Sequence, residues 1–265
     1  MPRVNRTVEE EEARRENGEF IESLDRGLRV LQSFGTEHRP MTLSDIAKAS
    51  NLSRATARRI LLTLQRAGFV AGDERLFSLT PRVLALASAY LSSNQIVAVM
   101  QPLMDEISTR AREVCSLAIL DGEEAVFIAR ASPARVFSAG IDIGYRLPAY
   151  CTSVGRVLLG RLSNDDLTSA IAAMAVTAQT PETVTDKSIV AATIIADRNK
   201  GYSLVDREAE PGFRSISVPI RRYDGAVVAA ANIGAHVDRI TTGEMIDRFL
   251  PLLKDMATTA KPLLV

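Results

Sequence analysis

The stretch NLSRATARRILLTL, residues 51–64, places three arginines just ahead of an apolar run. Ser53 suits the start of a helix, because its hydroxyl can accept a hydrogen bond from an unpaired first-turn amide. The apolar residues that follow recur at the spacing of one helical face, which comprises Ala57, Ile60, Leu61 and Leu64. The stretch therefore predicts a helix whose other faces carry Arg54, Arg58 and Arg59.

The neighbouring segments predict the rest of a small domain. Residues 20–34 (FIESLDRGLRVLQSF) and 41–50 (MTLSDIAKAS) have the periodicity of amphipathic helices. About four residues separate the second helix from the third, which is the turn length of a helix-turn-helix. Residues 69–80 contain two short apolar runs around a polar turn and predict a hairpin. Three short helices followed by a hairpin predict a winged helix-turn-helix over residues 20–80.

The chain has no net charge, but its 32 basic and 32 acidic side chains are unevenly distributed. Residues 1–19 carry four arginines and six glutamates with few apolar residues, so we predict a disordered acidic tail. Residues 20–80 carry nine basic and six acidic side chains. Because salt screens exposed charges beyond about 10 Å at 0.1 M, this local excess governs the approach of a polyanion.

A helix with cationic and small polar side chains at its N-terminal end suits the major groove of duplex DNA. We expect Arg54 and Arg58, which share a face, to contact base edges or the adjacent backbone, with Thr56 between them. Arg59 and the first turn at Ser53 are expected to bind phosphate. These residues predict double-stranded operator DNA as a partner.

Two alternatives remain open for the cationic side chains. Exposed arginines also keep a surface helix soluble, although residues 51–72 contain no acidic residue. Arg75, in the predicted hairpin, is expected to reach a flanking phosphate or the minor groove, and a solvated charge is an equal alternative.

The rest of the chain predicts a linker and an α+β domain. Thr80 and Pro81 are a strong helix start. The apolar helix that follows, over residues 81–94, is predicted to link the two domains and to form a dimer contact. Residues 95–265 contain two Asp-Gly hairpin signals, at 121–122 and 224–225. With helices expected over about 153–173, 186–200 and from Thr241, they predict an antiparallel sheet packed by helices.

Several classes of protein are disfavoured by composition. No run of about 18 apolar residues predicts a membrane span, and no signal peptide is evident, so we expect a cytoplasmic protein. Cys115 and Cys151 are expected to be reduced thiols, and with only two histidines, His38 and His236, no metal site is expected. No nucleotide-binding glycine motif is present, and no cofactor is expected.

Four stretches in this order resemble the IclR family of bacterial transcriptional regulators: SLDRGLRVLQSF, LSRATARRILLTL with GFV, LTPRVLALASAYL, and GYRLPAYCTSVGRVLLG with GYSLVDREAEPGFRSISVPI. The resemblance covers the chain after the tail and implies operator binding, a dimerisation helix and a GAF-like effector domain over residues 95–265. It also implies homodimers or dimers of dimers that repress or activate. RLPAYCTSVGRVLLG and SLDRGL are most similar to the branch that controls aromatic-acid degradation through the β-ketoadipate pathway.

A small organic acid is the expected effector. Thr152 and Ser153 begin a helix after an irregular loop, so their hydroxyls and the first-turn amides can bind a carboxylate, with Gly155 allowing close approach. An ordinary helix cap is the alternative. Val154 is larger than the side chain of some glyoxylate- or pyruvate-binding relatives, so the resemblance favours an aromatic or dicarboxylic acid.

The resemblance also implies an opposite wall near residues 204–217 and 228–233. Its polar candidates are Asp206, Glu208, Ser215, Ser217 and Asn232. Arg146 and Arg214 are the expected partners of an acid group.

Three rival functions are weighed against the regulator. Cys151 beside the proposed carboxylate site could act as a nucleophile or redox sensor, but no base is evident near it. The C-terminal domain could instead form a small-molecule enzyme, or the protein could bind DNA without an effector.

Overall fold

The computed structural model describes residues 20–36, 39–73, 75–133 and 142–265. These residues form two compact units, one ending at Ser93 and the other beginning at Asn94. The predicted acidic tail, residues 1–19, and His38 lie outside the described residues.

The first unit has the predicted order of three helices and a hairpin. Its elements are α1 (Glu22–Ser33), α2 (Leu43–Ser50), α3 (Arg54–Arg66), β1 (Val70–Gly72), β2 (Phe77–Leu79) and α4 (Leu84–Ser93). The hydroxyl of Thr42 caps α2 and that of Ser53 caps α3. Val30, Ile46 and Leu61 are fully buried where the three helices meet. The unit is a winged helix-turn-helix, as predicted.

The helix α4 differs from the others in this unit because none of its residues is buried. Thr80 caps a 3₁₀ turn, Pro81–Val83, that leads into it. Leu84 is 64% exposed and Leu86 is 60% exposed.

The second unit is built on a six-stranded antiparallel sheet with strand order β5-β4-β3-β8-β7-β6. Its strands are β3 (Val114–Asp121), β4 (Glu124–Ala131), β5 (Arg146–Pro148), β6 (Ser203–Asp206), β7 (Phe213–Arg221) and β8 (Val227–His236). Both Asp-Gly signals form hairpins, with Gly122 and Gly225 at φ +61° and +91°. This confirms the α+β class with an antiparallel, GAF-like effector domain.

Helices cover both faces of this sheet. They are α5 (Gln95–Ala111), α6 (Ser153–Leu159), α7 (Asn164–Ala173), α8 (Lys187–Lys200), α9 (Thr242–Glu244) and α10 (Leu250–Ala260). The main core lies where α5 and α10 pack on one face, and it includes Met104, Leu117 and Leu253. On the opposite face, α6 packs through Val154 against Phe127.

One predicted helix is wrong in its extent. The segment expected as a single helix over about 153–173 is two helices, α6 and α7. The break occurs because Ser163 begins a new helix, its Oγ accepting the N–H of Asp166 at 3.1 Å. Strand β5 has no clear sequence signal, whereas β6 lies at the start of the wall that the resemblance implied over residues 204–217.

Candidate functional site

The arginines of α3 form an exposed cationic surface on the first unit. Ala57 and Leu61 are fully buried, whereas Arg54, Arg58 and Arg59 are exposed. Within the described residues, none of the three arginines has an ion-pair partner. Their charges are therefore available to an external anion, as a DNA-binding helix requires.

The start of α3 and the wing are held by local hydrogen bonds. Ser53 Oγ accepts the N–H of Thr56 at 3.2 Å and lies 2.9 Å from Thr56 Oγ1, so this hydroxyl pair is already engaged. In the wing, Asp73 Oδ1 accepts the N–H of Arg75 at 2.8 Å, and the Arg75 side chain is exposed. Gln65 Nε2 donates to the carbonyl of Gly72 at 3.0 Å, which ties the wing to α3.

A pocket opens in the second unit on the sheet face that α6 covers. It encloses about 450 Å³, counting the space open to solvent at its mouth. Its lining residues are Phe127, Leu147, Thr152, Ser153, Val154, Val205, Ala209, Glu210, Phe213, Arg214, Ser215, Asn232 and Gly234.

The polar groups of the pocket cluster where α6 meets β7 and β8. Ser153 Oγ and Ser215 Oγ lie 2.8 Å apart, joining helix to sheet. Asn232 is 6% exposed, and its buried Oδ1 has no hydrogen-bond partner among the described residues. Buried polar atoms in proteins are almost always hydrogen-bonded, so a ligand in this pocket can supply the partner that Oδ1 lacks within the protein.

The first turn of α6 is partly used by the protein itself. Thr152 Oγ1 accepts the N–H of Gly155 at 3.1 Å and lies 3.2 Å from the carbonyl of Pro148, to which it donates. Gly155 packs on the preceding turn rather than on the pocket, since an added Cβ would lie 2.2 Å from the carbonyl oxygen of Ala149. Close approach does require this glycine, but the approaching group is the protein backbone.

The charged residues expected to hold an acid group are engaged elsewhere. The Nε of Arg214 bonds Asp206 Oδ1 at 3.0 Å, and its Nη1 donates to the carbonyl of Ile240 at 2.8 Å. Because neighbouring strand residues point to opposite faces, Arg214 borders the pocket through its backbone while Ser215 faces it. Arg146 lies on β5 and binds Glu124 and Asp121, each at 2.7 Å.

Two further candidates also lie away from the pocket lining. Ser217 Oγ donates to the carbonyl of Ala231 at 2.9 Å. Glu208 Oε2 accepts from Arg156 Nη2 at 2.7 Å, and Arg156 Nε donates to the carbonyl of Tyr150 at 2.8 Å. Both partners of this ion pair are buried, so it fastens the loop between β6 and β7 to α6.

Several lining residues were not predicted: Phe127, Leu147, Val205, Ala209, Glu210, Phe213 and Gly234. Strand alternation could have found Phe213, which lies two residues before Ser215 on the same face. Finding Gly234 required the strand register, which pairs it with Ser215. Partial burial at the pocket wall raises the pKa of Glu210 above its ordinary value.

Cys151 has the environment of a packed thiol. It is fully buried, and burial raises its pKa to about 12. The thiolate needed for nucleophilic or redox chemistry is therefore strongly disfavoured. His236 pairs with Asp238 at 3.3 Å and makes an edge-to-face contact with Phe213.

We predict that Cys151 of the native protein reacts with a thiol reagent at pH 8 far more slowly than in the urea-unfolded protein. Exclusion of reagent and loss of the thiolate both act in this direction. A time course followed by mass spectrometry of the labelled peptides measures the two rates. Labelling of native Cys151 as fast as the unfolded thiol would restore the redox-sensor hypothesis.

Metal and membrane features were also sought in the described residues. They contain no group of three or more His, Cys, Asp or Glu side chains arranged to hold a metal ion. No single helix among them is long and apolar enough to span a bilayer. One bent pair of helical segments, Pro81–Ser93 with Gln95–Ala111, together has the length and apolar composition of a span, and nothing beyond length and composition supports one.

A winged helix-turn-helix with an exposed cationic helix, joined to a second unit that contains a pocket, is the architecture of ligand-binding transcriptional regulators. Residues 23–74 match the IclR helix-turn-helix domain, and residues 88–261 match the C-terminal domain of bacterial transcriptional regulators of the IclR type. The chain belongs to the IclR family, a family of transcriptional regulators rather than enzymes, as the resemblance implied.

Relatives and solved structures extend this assignment. The chain is 41% identical to the Pca regulon regulatory protein of Pseudomonas putida over 236 residues, covering 89% of this chain and 81% of that protein. It is similar to the inducer-binding domain of a PobR double mutant from Acinetobacter in complex with 3-hydroxybenzoic acid (32% identity, TM-score 0.60, 63% of this chain and 98% of that chain). It is also similar to an IclR homologue complexed with 4-hydroxybenzoate from Microbacterium hydrocarbonoxydans (25% identity, TM-score 0.73, 90% and 97%).

Proposed function

We propose that this regulator binds a small aromatic acid, or a dicarboxylic acid of the β-ketoadipate pathway, and thereby controls genes for aromatic-acid catabolism. Residues 20–80 would bind the operator in the cytoplasm, residues 81–94 would link and dimerise, and residues 95–265 would bind the effector. A homodimer or a dimer of dimers is the proposed assembly. The names and ligands of the similar proteins support the aromatic-acid class.

The observation that carries this proposal is the composition of the pocket. Aromatic and aliphatic side chains, including Phe127 and Phe213, offer walls for a ring or an alkyl chain. The Ser153 and Ser215 hydroxyls can donate hydrogen bonds to an acid group, and the unpaired Oδ1 of Asn232 can accept one from a ring hydroxyl. Ligand contact by Thr152 and Val154 is proposed on the same grounds.

The residues outside the lining receive supporting roles in this proposal. Asp206 would hold Arg214, and Glu208 would hold the loop that bears Ala209 and Glu210. Gly155 would allow α6 to pack against the turn before it. Direct contact of Arg146 or Ser217 with the effector is not part of the proposal.

A thermal-shift panel on the full-length protein tests the function. We expect 3-hydroxybenzoate, 4-hydroxybenzoate, protocatechuate or β-ketoadipate to raise the Tm, since ligand at a hundredfold excess over Kd adds about 2.7 kcal/mol of stability. For the ligand that raises the Tm, Asn232→Leu is expected to weaken binding by about 1–3 kcal/mol, because one hydrogen bond to the ligand is removed. The matched control Ser217→Ala removes a hydroxyl from the same strand pair outside the pocket and should leave ligand affinity unchanged.

Two outcomes would contradict the proposal. A panel in which no acid raises the Tm or alters operator binding would favour a DNA-binding protein without an effector. An Asn232→Leu variant that keeps wild-type affinity would move the ligand site away from this pocket.

A further inference from the structure

The C-terminal end of α3 is hydrogen-bonded to the segment that begins the linker. Ala67 and Gly68 follow the helix, with Gly68 in the left-handed region at φ +79°. Arg82 Nη1 donates to the carbonyl of Ala67 at 2.6 Å, and Thr80 Oγ1 donates to the carbonyl of Gly68 at 2.6 Å. We call these two hydrogen bonds the α3–linker contact.

The hydrogen bond from Arg82 suits the chemistry of a helix end, because Ala67 is the C-cap of α3. The last carbonyls of a helix lack partners within the helix and carry its negative dipole end, so a guanidinium is a favourable donor there. The guanidinium passes directly over Gly68, since a Cβ on that residue would lie 3.1 Å from Arg82 Cζ. The C-cap carbonyl of α3 and the carbonyl of the glycine after it are therefore bonded to side chains of the linker segment.

The same residues organise the first turn of the linker. Thr80 Oγ1 also accepts the N–H of Arg82 at 3.3 Å and so caps the turn Pro81–Val83 that leads into α4. One hydroxyl thus bonds both to the end of α3 and to the start of the linker. At its other end, α4 finishes at Ser93, and one residue separates it from the first helix of the second unit, which begins at Gln95.

We infer that Thr80 and Arg82 are positioning residues that make the recognition helix follow the linker, so that effector binding can change operator affinity. This inference rests on the proposed function, since it requires a ligand that favours one arrangement of the DNA units. Without the α3–linker contact, α4 can reorient without carrying α3, and ligand binding and DNA binding become independent.

The fold itself does not depend on this contact. The backbone bond from the N–H of Thr80 to the carbonyl of Phe69, at 2.9 Å, survives substitution of either side chain, and it lies before the turn Pro81–Val83 about which α4 would reorient. Arg82 is exposed, so its removal leaves no cavity. Variants at these two positions should therefore fold.

The test measures operator affinity of the full-length protein by fluorescence anisotropy at fixed salt. The duplex comes from upstream of its own gene, with or without saturating 4-hydroxybenzoate, protocatechuate or β-ketoadipate. The variants are Arg82→Ala, Arg82→Lys and Thr80→Val. Arg66→Ala is the matched control, because it removes an exposed charge from the last turn of α3, where no described hydrogen bond uses that side chain. Ligand affinity is measured separately by calorimetry.

In the wild type we expect the active ligand to change the operator Kd by about 5- to 150-fold, the usual range of allosteric coupling. Arg82→Ala and Thr80→Val should bind ligand as the wild type does, while the ligand-dependent change falls below about twofold. Arg82→Lys keeps a donor and a charge and should retain part of the ligand-dependent change in operator Kd. Arg66→Ala should retain all of it.

Full wild-type coupling in both Arg82→Ala and Thr80→Val would overturn the inference while leaving the proposed function intact. The variants could also change operator affinity by the same factor with and without ligand, so that the coupling is unchanged. That result would give both residues a purely structural role and would also overturn the inference. A wild type that binds operator but ignores every acid tested contradicts the proposed function, and the inference fails with it.

Discussion

Replacing Arg54 and Arg58 together by alanine is expected to lower operator affinity more than any other change on the DNA-binding unit. Each arginine that contacts a base edge or phosphate contributes about 1–3 kcal/mol, so the double variant should lose about 2–6 kcal/mol if the two effects add. Both side chains are exposed and have no acidic partner in the described structure, so the loss should appear in DNA binding and not in stability.

Salt dependence separates the two roles open to these arginines. If an arginine binds phosphate, its substitution reduces the slope of log K against log salt by about one and weakens binding on all sequences alike. If it binds a base edge, its substitution relaxes specificity at one position of the site. Arg161→Ala, an exposed arginine of the other unit, is the control and should bind as the wild type does. Unchanged affinity and salt slope in the double variant would refute the assignment of α3 as the recognition helix.

Substituting Glu208 by alanine is expected to give a large loss of stability in the second unit, which begins at Asn94 and is called the effector unit below. Arg156 is 3% exposed, and Glu208 is its buried carboxylate partner at 2.7 Å. Removing one member of a buried ion pair leaves the other charge without compensation, which costs about 3–5 kcal/mol. Urea unfolding of the full chain, followed by the transition of the effector unit, measures this loss.

A surface ion pair of the same loop provides the matched control. Arg207 and Glu182 lie 3.7 Å apart with side chains about two-fifths exposed, so Glu182→Ala should cost at most about 1 kcal/mol. Replacing both buried partners, Arg156→Met with Glu208→Leu, should recover much of the loss. Equal free energies of unfolding for Glu208→Ala and Glu182→Ala would show that the buried ion pair contributes no more to stability than the exposed one.

The first unit was largely predictable from sequence because its information is local. Ser53 caps α3 as its side-chain chemistry suggests, and apolar periodicity located the buried face of each helix. The cationic surface of α3 follows directly from that periodicity, since residues outside the buried face must be exposed. Its contact with operator DNA remains a prediction.

The pocket was less predictable because its walls come together only through strand pairing. Ser153, Ser215 and Asn232 were identified as candidates and do line one cavity. Strand alternation alone places Arg214 on the face opposite Ser215, but sequence could not show that Asp206 holds it there, or that Arg146 pairs with Glu124 away from the pocket. A charged residue beside a predicted site says little until its competing partners are known.

The central pairing of β3 with β8 also orders the events of synthesis. Val114 pairs with Gly234, so the sheet stays in two pieces until Gly234 has left the ribosome. The helix-turn-helix depends on contacts close in sequence and forms sooner. A nascent chain thus forms its helix-turn-helix before the pocket of the second unit exists. Premature termination would release a fragment that can fold its DNA-binding unit but cannot bind a metabolite.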